Sequence, residues 1–192
     1  MPYDAQDDTP DDALLLLYAN GDRTAARVLT LRLTPKAFGH AFRVLGDRAE
    51  AEDVAQEAML RLWKMAPDWR QGEAKVTTWL YRVVANLCTD RLRKKRGVAL
   101  DDASEPEDDA ASAADQLQDR ARVDALQEAL DMLPERQKQA VVLRHLEGLG
   151  NPEIAEIMDI SVEAVESLSA RGKRALAKVL AGRRDELGYY DG

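Results

Sequence analysis

Residues 101–114 read DDASEPEDDAASAA, and this stretch does more than any other to limit what the chain can fold into. It combines charge of one sign, a proline and small side chains, so it cannot bury enough surface to offset the entropy of ordering it. A chain of 192 residues interrupted there is expected to form two small bodies on a tether. About twenty residues of flexible chain span roughly 25 Å, and further under self-repulsion. The division expected is an acidic disordered start at 1–12, a first module at 13–97, the linker at 98–117, a second module at 118–184 and a tail at 185–192.

Composition sets the kind of module. Aromatic residues make up 5% of the chain and charged residues 32%, which argues against a thick sandwich or barrel core. Neither half shows strand alternation or a fixed-period repeat, whereas both show helical spacing broken at Asn20-Gly21-Asp22, Pro35, Gly46-Asp47, Pro67, Gly72, Pro134 and 148–152. The fold class expected is all-α, two small helical domains joined by an acidic flexible linker. No apolar run reaches the eighteen or so residues of a membrane span, and residues 1–12 lack the basic start of a secretory signal, so the expected location is cytoplasmic. Cys88 is the single cysteine, and His40 and His145 are the two histidines. They exclude an internal disulfide and a cysteine-based metal cage, and no cofactor or metal site is expected.

The net charge of −8 argues at first against a nucleic-acid partner. The average hides a pattern. Twelve acids lie in 1–12 and 101–118, stretches that hold no Lys or Arg; without them, 27 basic residues outnumber 23 acidic ones. The bases cluster as Arg91, Arg93, Lys94, Lys95 and Arg96, and again as Arg171, Lys173, Arg174, Lys178, Arg183 and Arg184. Two cationic patches divided by an acidic strip suit phosphate binding; a preference of basic residues for helix C-termini is the plainer account.

Two helices expected in the first half have instructive faces. Across 51–64, Val54, Ala55, Ala58, Met59 and Leu62 share one side, while Asp53, Gln56, Glu57 and Lys64 share the other with Leu60 among them. Leu60 is either an ordinary exposed leucine or the anchor of an interface. Across 77–96, Leu80, Val83, Val84 and Leu87 point inward, leaving Trp79, Arg82, Asn86, Thr89, Asp90 and Arg93 together. Asparagine reads base edges, arginine binds phosphate or guanine and an exposed ring stacks on an unpaired base. The same face also fits a half-buried Trp79 beside solvated surface.

In the second half, 149–158, a three-residue break and 162–180 outline a helix-turn-helix. Asn151 is placed as N-cap with Pro152 at the first helical position, and Ser161 caps the longer helix. Ile154, Ala155, Met158, Ile160, Val165 and Leu168 suit a small shared core, leaving Glu163, Glu166, Ser167, Ser169, Ala170, Arg171 and Arg174 outward.

These landmarks together resemble the extracytoplasmic-function sigma factors of the sigma-70 family, built from sigma regions two and four. The resemblance runs from Leu14 to about Arg184 and rests on LLLLYANGDRTAARVL at 14–29, GDRAEAEDVAQEAMLRLW at 46–63, TTWLYRVVANLCTDRLRKKR at 77–96, LDMLPERQKQAVVLRHLEGL at 130–149 and NPEIAEIMDISVEAVESLSARGKRAL at 151–176. It implies a region 2 bundle and a region 4 helix-turn-helix. It also implies core RNA polymerase, promoter DNA and an anti-sigma factor as partners, no membrane insertion and no catalysis of the chain's own. By the same resemblance, Asp53, Gln56, Glu57 and Leu60 dock on the polymerase. Trp79, Arg82, Asn86, Asp90, Arg93, Lys94 and Arg96 recognise and open the minus-ten element, with the loop at 66–76 receiving an unstacked base. Ser167, Ser169, Arg171, Lys173, Arg174 and Lys178 read the minus-thirty-five element. Family members often carry threonine and lysine where this chain has Ala164 and Glu166, and Glu163 adds a second acid, so the resemblance puts specificity on Ser167, Ser169, Arg171 and Arg174.

The function expected is therefore an alternative sigma factor directing promoter-specific initiation in a stress response, held inactive by an anti-sigma factor. Its acidic stretches are expected to screen the free protein from DNA. The rival is a sigma mimic that occupies an anti-sigma factor without binding promoter DNA, a reading that Glu163 and Glu166 favour. A dimeric repressor lacks a visible dimer helix or ligand pocket. An enzyme lacks a glycine-rich phosphate loop or nucleophile motif, and its two histidines would lie in separate modules.

Overall fold

The computed structural model describes residues 8–98 and 114–183, and among these all regular structure is helical. The first half comprises α1 (Asp11–Ala19), α2 (Arg23–Leu45), α3 (Arg48–Met65) and α4 (Val76–Val98), with a 3-10 turn at Ala66–Asp68. The second comprises α5 (Ala114–Asp131), α6 (Glu135–Val141), a π-turn at Val142–Leu146, α7 (Asn151–Met158) and α8 (Val162–Ala181). The expected tether lies mostly outside the described residues, although α5 begins inside the stretch assigned to it. The expected disordered start and the tail from Asp185 lie largely or wholly outside them too.

Short polar residues set the helix boundaries. The Asp22 carboxylate accepts from the Thr24 and Ala25 amides at 2.8 and 3.2 Å, and Asp47 accepts from Glu50 N at 3.0 Å, each satisfying amides that a helix start leaves unpaired. Between α2 and α3 the chain turns at Gly46, whose φ of 69° only glycine adopts without strain. Pro35 does not break the helix, as its position in the sequence suggested; α2 runs through it. Proline removes one amide donor, but Pro35 is exposed, and Leu29, Leu33, Ala37, Ala41 and Val44 bury the opposite side along the whole length.

Helices α1 to α4 enclose one core, centred on Leu14, Leu29, Leu33, Val54, Leu62, Leu80 and Val84. A second joins Leu130, Leu133, Val141 and Val142 with the flank of α8. The third crosses between halves: Tyr81 and Ala85 of α4 pack with Leu143, Ile154, Ile157 and Val165. The two modules are thus in contact, with the helix-turn-helix seated on a side of α4 that neither builds the first core nor faces water.

Candidate functional surfaces

On α3 the helical period separates two faces cleanly. Ala51, Val54, Ala55, Ala58, Met59 and Leu62 are buried, while Asp53, Gln56 and Leu60 are exposed. Leu60 remains 59% exposed, an apolar side chain with Glu57 one turn before it and Lys64 one turn after it along the helix. Glu57 is half-buried and accepts from Arg61 Nη2 at 2.6 Å. At the back of this face Arg91 pairs with Glu50 and lies 4.0 Å from Asp53, and the Glu50 carboxylate raises the Arg91 pKa. The α3 surface thus sets an exposed leucine among polar and charged side chains, an apolar centre with a polar rim of the kind that protein interfaces use.

Three faces run along α4. Leu80, Val84, Leu87 and Cys88 enter the first core, where burial pushes the Cys88 thiol up to about 12 and keeps it protonated. Arg82, Asn86, Asp90, Arg93, Lys94 and Arg96 are exposed together on a second face. Trp79, at the head of that face, is half-buried against the first core, which leaves only part of its ring for stacking. The third face, Tyr81, Ala85 and Thr89, meets the second half: Tyr81 Oη donates to Glu147 at 2.7 Å, and Gln139 Nε2 donates to Thr89 at 3.2 Å. Thr89 therefore leaves the exposed set.

The loop leading into α4 turns at Gly72, φ 84°, and borders an open cavity of about 440 Å³. Lys75, Val76 and Thr77 form one wall, and Asp11 and Asp12 of α1 the other. This is the loop that the resemblance linked to an unstacked base.

In α8, Ser161 accepts from Ala164 N at 3.1 Å, as the pattern predicted. Asn151 is not the cap of α7. Gly150 takes that position with extended backbone, and Asn151 and Pro152 occupy the first turn, so the Asn151 side chain lies inside the helix start and caps nothing. Exposed along α8 are Glu163, Glu166, Ser167, Ala170, Arg171, Lys173, Arg174 and Lys178. Ser169 is turned inward and is 8% exposed, which removes it from the expected DNA-reading set. The reason is the helical period: Val165, Ser169, Gly172 and Leu176 form one stripe at spacings of four, three and four, and that stripe packs on α6 and α7. At Gly172 a Cβ would stand 2.4 Å from Val141 Cγ2, so the close approach of α8 to α6 requires glycine there.

Sequence reasoning missed Tyr81, Lys138 and Gln127. The i, i+4, i+8 spacing of Tyr81, Ala85 and Thr89 was available as a third stripe. Lys138 and Gln127 carried no such signal, because what they bind is backbone of another helix.

A helical bundle with an exposed cationic helix, followed by a capped helix-turn-helix whose second helix exposes bases, defines a helical DNA-binding protein of two parts. Comparison with known proteins makes this specific. The Sigma-70 region 2 model matches residues 29–98 and the Sigma-70, region 4 model matches 124–176. The chain is 32% identical over 171 residues to the ECF RNA polymerase sigma factor SigW of Bacillus subtilis, covering 83% of this chain and 91% of that protein. It is likewise 32% identical over 181 residues to the RNA polymerase sigma-H factor of Pseudomonas aeruginosa, covering 88% and 93%. Among solved structures it resembles CnrH in complex with the cytosolic domain of CnrY, with TM-score 0.66, 25% identity and coverage of 90% and 97%. RpoE of Bartonella quintana, solved with the anti-sigma factor NepR, gives TM-score 0.66 at 23% identity, covering 81% and 96%. The chain belongs to the extracytoplasmic-function sigma factors, non-enzymatic factors of transcription initiation.

Proposed function

We propose that the chain docks on core RNA polymerase through Asp53, Gln56, Glu57 and Leu60 and reads two promoter elements with α4 and α8. The observation that carries this reading is the pair of exposed cationic faces, Arg82 to Arg96 on α4 and Arg171 to Lys178 on α8, each backed by a buried stripe of its own helix. On α4, Asn86 offers a bidentate amide for a base edge while Arg82, Arg93, Lys94 and Arg96 bind phosphate. Unpairing costs a few kcal/mol per base, which contacts made only to a single strand offset; the cavity beside Gly72 is where such a base is received. On α8, Ser167, Arg171 and Arg174 carry the minus-thirty-five contacts, with Lys173 and Lys178 on flanking phosphates. The working domains are 13–97 and 118–184, the protein acts in the cytoplasm, and an anti-sigma factor restrains it, as NepR accompanies the Bartonella relative.

The test is start-site mapping: core polymerase, this protein and genomic DNA are combined, and new transcripts are sequenced from their 5′ ends. Starts shared by a common pair of upstream motifs support the reading; polymerase binding with no new start rejects it. A second reading, mimicry that occupies an anti-sigma factor without DNA, draws on Glu163 and Glu166, both exposed in the first turns of α8 where they repel phosphate. It predicts anti-sigma binding and silent templates.

A further inference from the structure

One carboxylate on the exposed side of α8 has no explanation in the helix itself. Glu163 lies in the first turn, where the helix dipole favours negative charge. Glu166 lies in the second turn, beyond that effect, and follows Glu163 by three residues, a spacing at which like charges repel. Four residues further on stands Ala170, which offers no cation. Among the described residues Glu166 is exposed and makes no ion pair, whereas Glu52 and Glu57 of α3 each hold an arginine four residues away, at 3.0 and 2.6 Å. Helix stability gives no account of this acid.

Its place on α8 does. Val165, Ser169 and Gly172 are buried, so the side that remains carries Glu166, Ser167 and Ala170 ahead of Arg171 and Arg174. The second helix of a helix-turn-helix sets its early residues against base edges in the major groove, while later and flanking cations grip phosphate. Glu166 is the fifth residue of α8, and its neighbours Ser167 and Ala170 are short enough to leave it the longer reach. Chemistry then limits what it reads. An ionised carboxylate only accepts hydrogen bonds. Guanine shows the major groove two acceptors, thymine an acceptor and a methyl group, and adenine a donor beside an acceptor; cytosine alone shows a donor, N4, with no acceptor of its own beside it. On any other base the carboxylate is desolvated near phosphate and left unpartnered, which costs binding. Lys173, Arg174 and Lys178, exposed further along α8, offset the repulsion.

We propose that Glu166 is a specificity-determining residue for the upstream promoter element: its carboxylate accepts from N4 of one cytosine, and the chain discriminates against promoters that lack a cytosine at that position. This rests on the promoter-reading function above. The cations of α8 supply affinity for any duplex, and Glu166 withholds part of it from the wrong sequence.

The test uses the full chain with core polymerase on a promoter obtained by start-site mapping, its upstream element randomised one position at a time and its output counted by transcript sequencing. Wild type should favour cytosine at one position by about 5- to 150-fold, the worth of one good contact to a base edge. Glu166→Gln, whose amide pairs with adenine N6 and N7, should move the preference at that position from cytosine to adenine, and Glu166→Ala should abolish it. Preferences at the other upstream positions and throughout the downstream element should stay as in wild type. Both substitutions fall at an exposed helix position, and matching circular dichroism establishes that the variants fold. An unchanged profile in both folded variants, or a change spread evenly over all positions, overturns the role of Glu166. Absence of transcripts from wild type and variants alike overturns the promoter reading instead.

Discussion

The hydroxyl of Tyr81 on α4 donates a 2.7 Å hydrogen bond to the Glu147 carboxylate beyond the π-turn, joining the two halves of the chain. Beneath it His40 meets the Tyr81 ring edge-on with centroids 5.7 Å apart, fully buried and with neither nitrogen hydrogen-bonded. Burial lowers the His40 pKa to about 4 and raises that of Tyr81, so the seam holds a neutral imidazole and a neutral phenol.

That arrangement makes stability depend on pH. Unfolded, His40 takes a proton near pH 6.5; folded, only near 4. Stability is therefore fully present above pH 6.5 and falls as pH drops toward 4, by about 3 kcal/mol for a shift of this size. His145, whose pKa burial also lowers, acts in the same direction. Urea midpoints between pH 7.5 and 4.5 should fall for wild type and fall much less for His40→Leu. An equal fall in both would assign the dependence to other groups.

Gly172→Ala should cost about 1 to 3 kcal/mol, because its Cβ would overlap Val141 Cγ2 and crowd the Gln137 carbonyl at 3.1 Å. Chemical unfolding measures it. Pairing the change with Val141→Ala should restore part of the loss, which a general helix effect of alanine would not do.

Ser161→Ala removes the acceptor for Ala164 N and should cost about 0.5 to 2 kcal/mol. Ser161→Asp should retain most of the stability. Thermal melts of the three proteins give the comparison.

Leu60→Asp should leave the melting curve within about 0.5 kcal/mol of wild type, since the side chain is 59% exposed. Affinity for core polymerase should drop at least about tenfold, equivalent to about 1.4 kcal/mol. Calorimetric titration against core polymerase reads this directly.

Local signals carried much of the fold. The two faces of α3, the inward side of α4 and the Ser161 cap each follow from spacings within a single helix, and those residues lie where the period places them. Ser169 shows how the same rule fails when chemistry is read ahead of geometry: a serine in a basic helix looked like a DNA contact, yet it stands four residues after Val165 and three before Gly172. Asn151 was displaced by one position because Gly150 also adopts extended backbone, and Pro152 is tolerated at either of the first two helical places. The seam between halves was the illegible part. Lys138 binds the Val44 carbonyl, and no pattern of side chains announces that a helix end ninety-four residues earlier lacks partners.

Footprinting of the promoter complex tests the central claim most directly, with wild type, Asn86→Ala and Arg171→Ala/Arg174→Ala each bound to core polymerase on a mapped template. The account predicts two protected stretches for wild type. The α8 variant should lose only the upstream stretch, and Asn86→Ala should keep it while the downstream bases lose their reactivity to a single-strand probe. Loss of both stretches in either variant, or of neither in both, would contradict a division of promoter reading between α4 and α8.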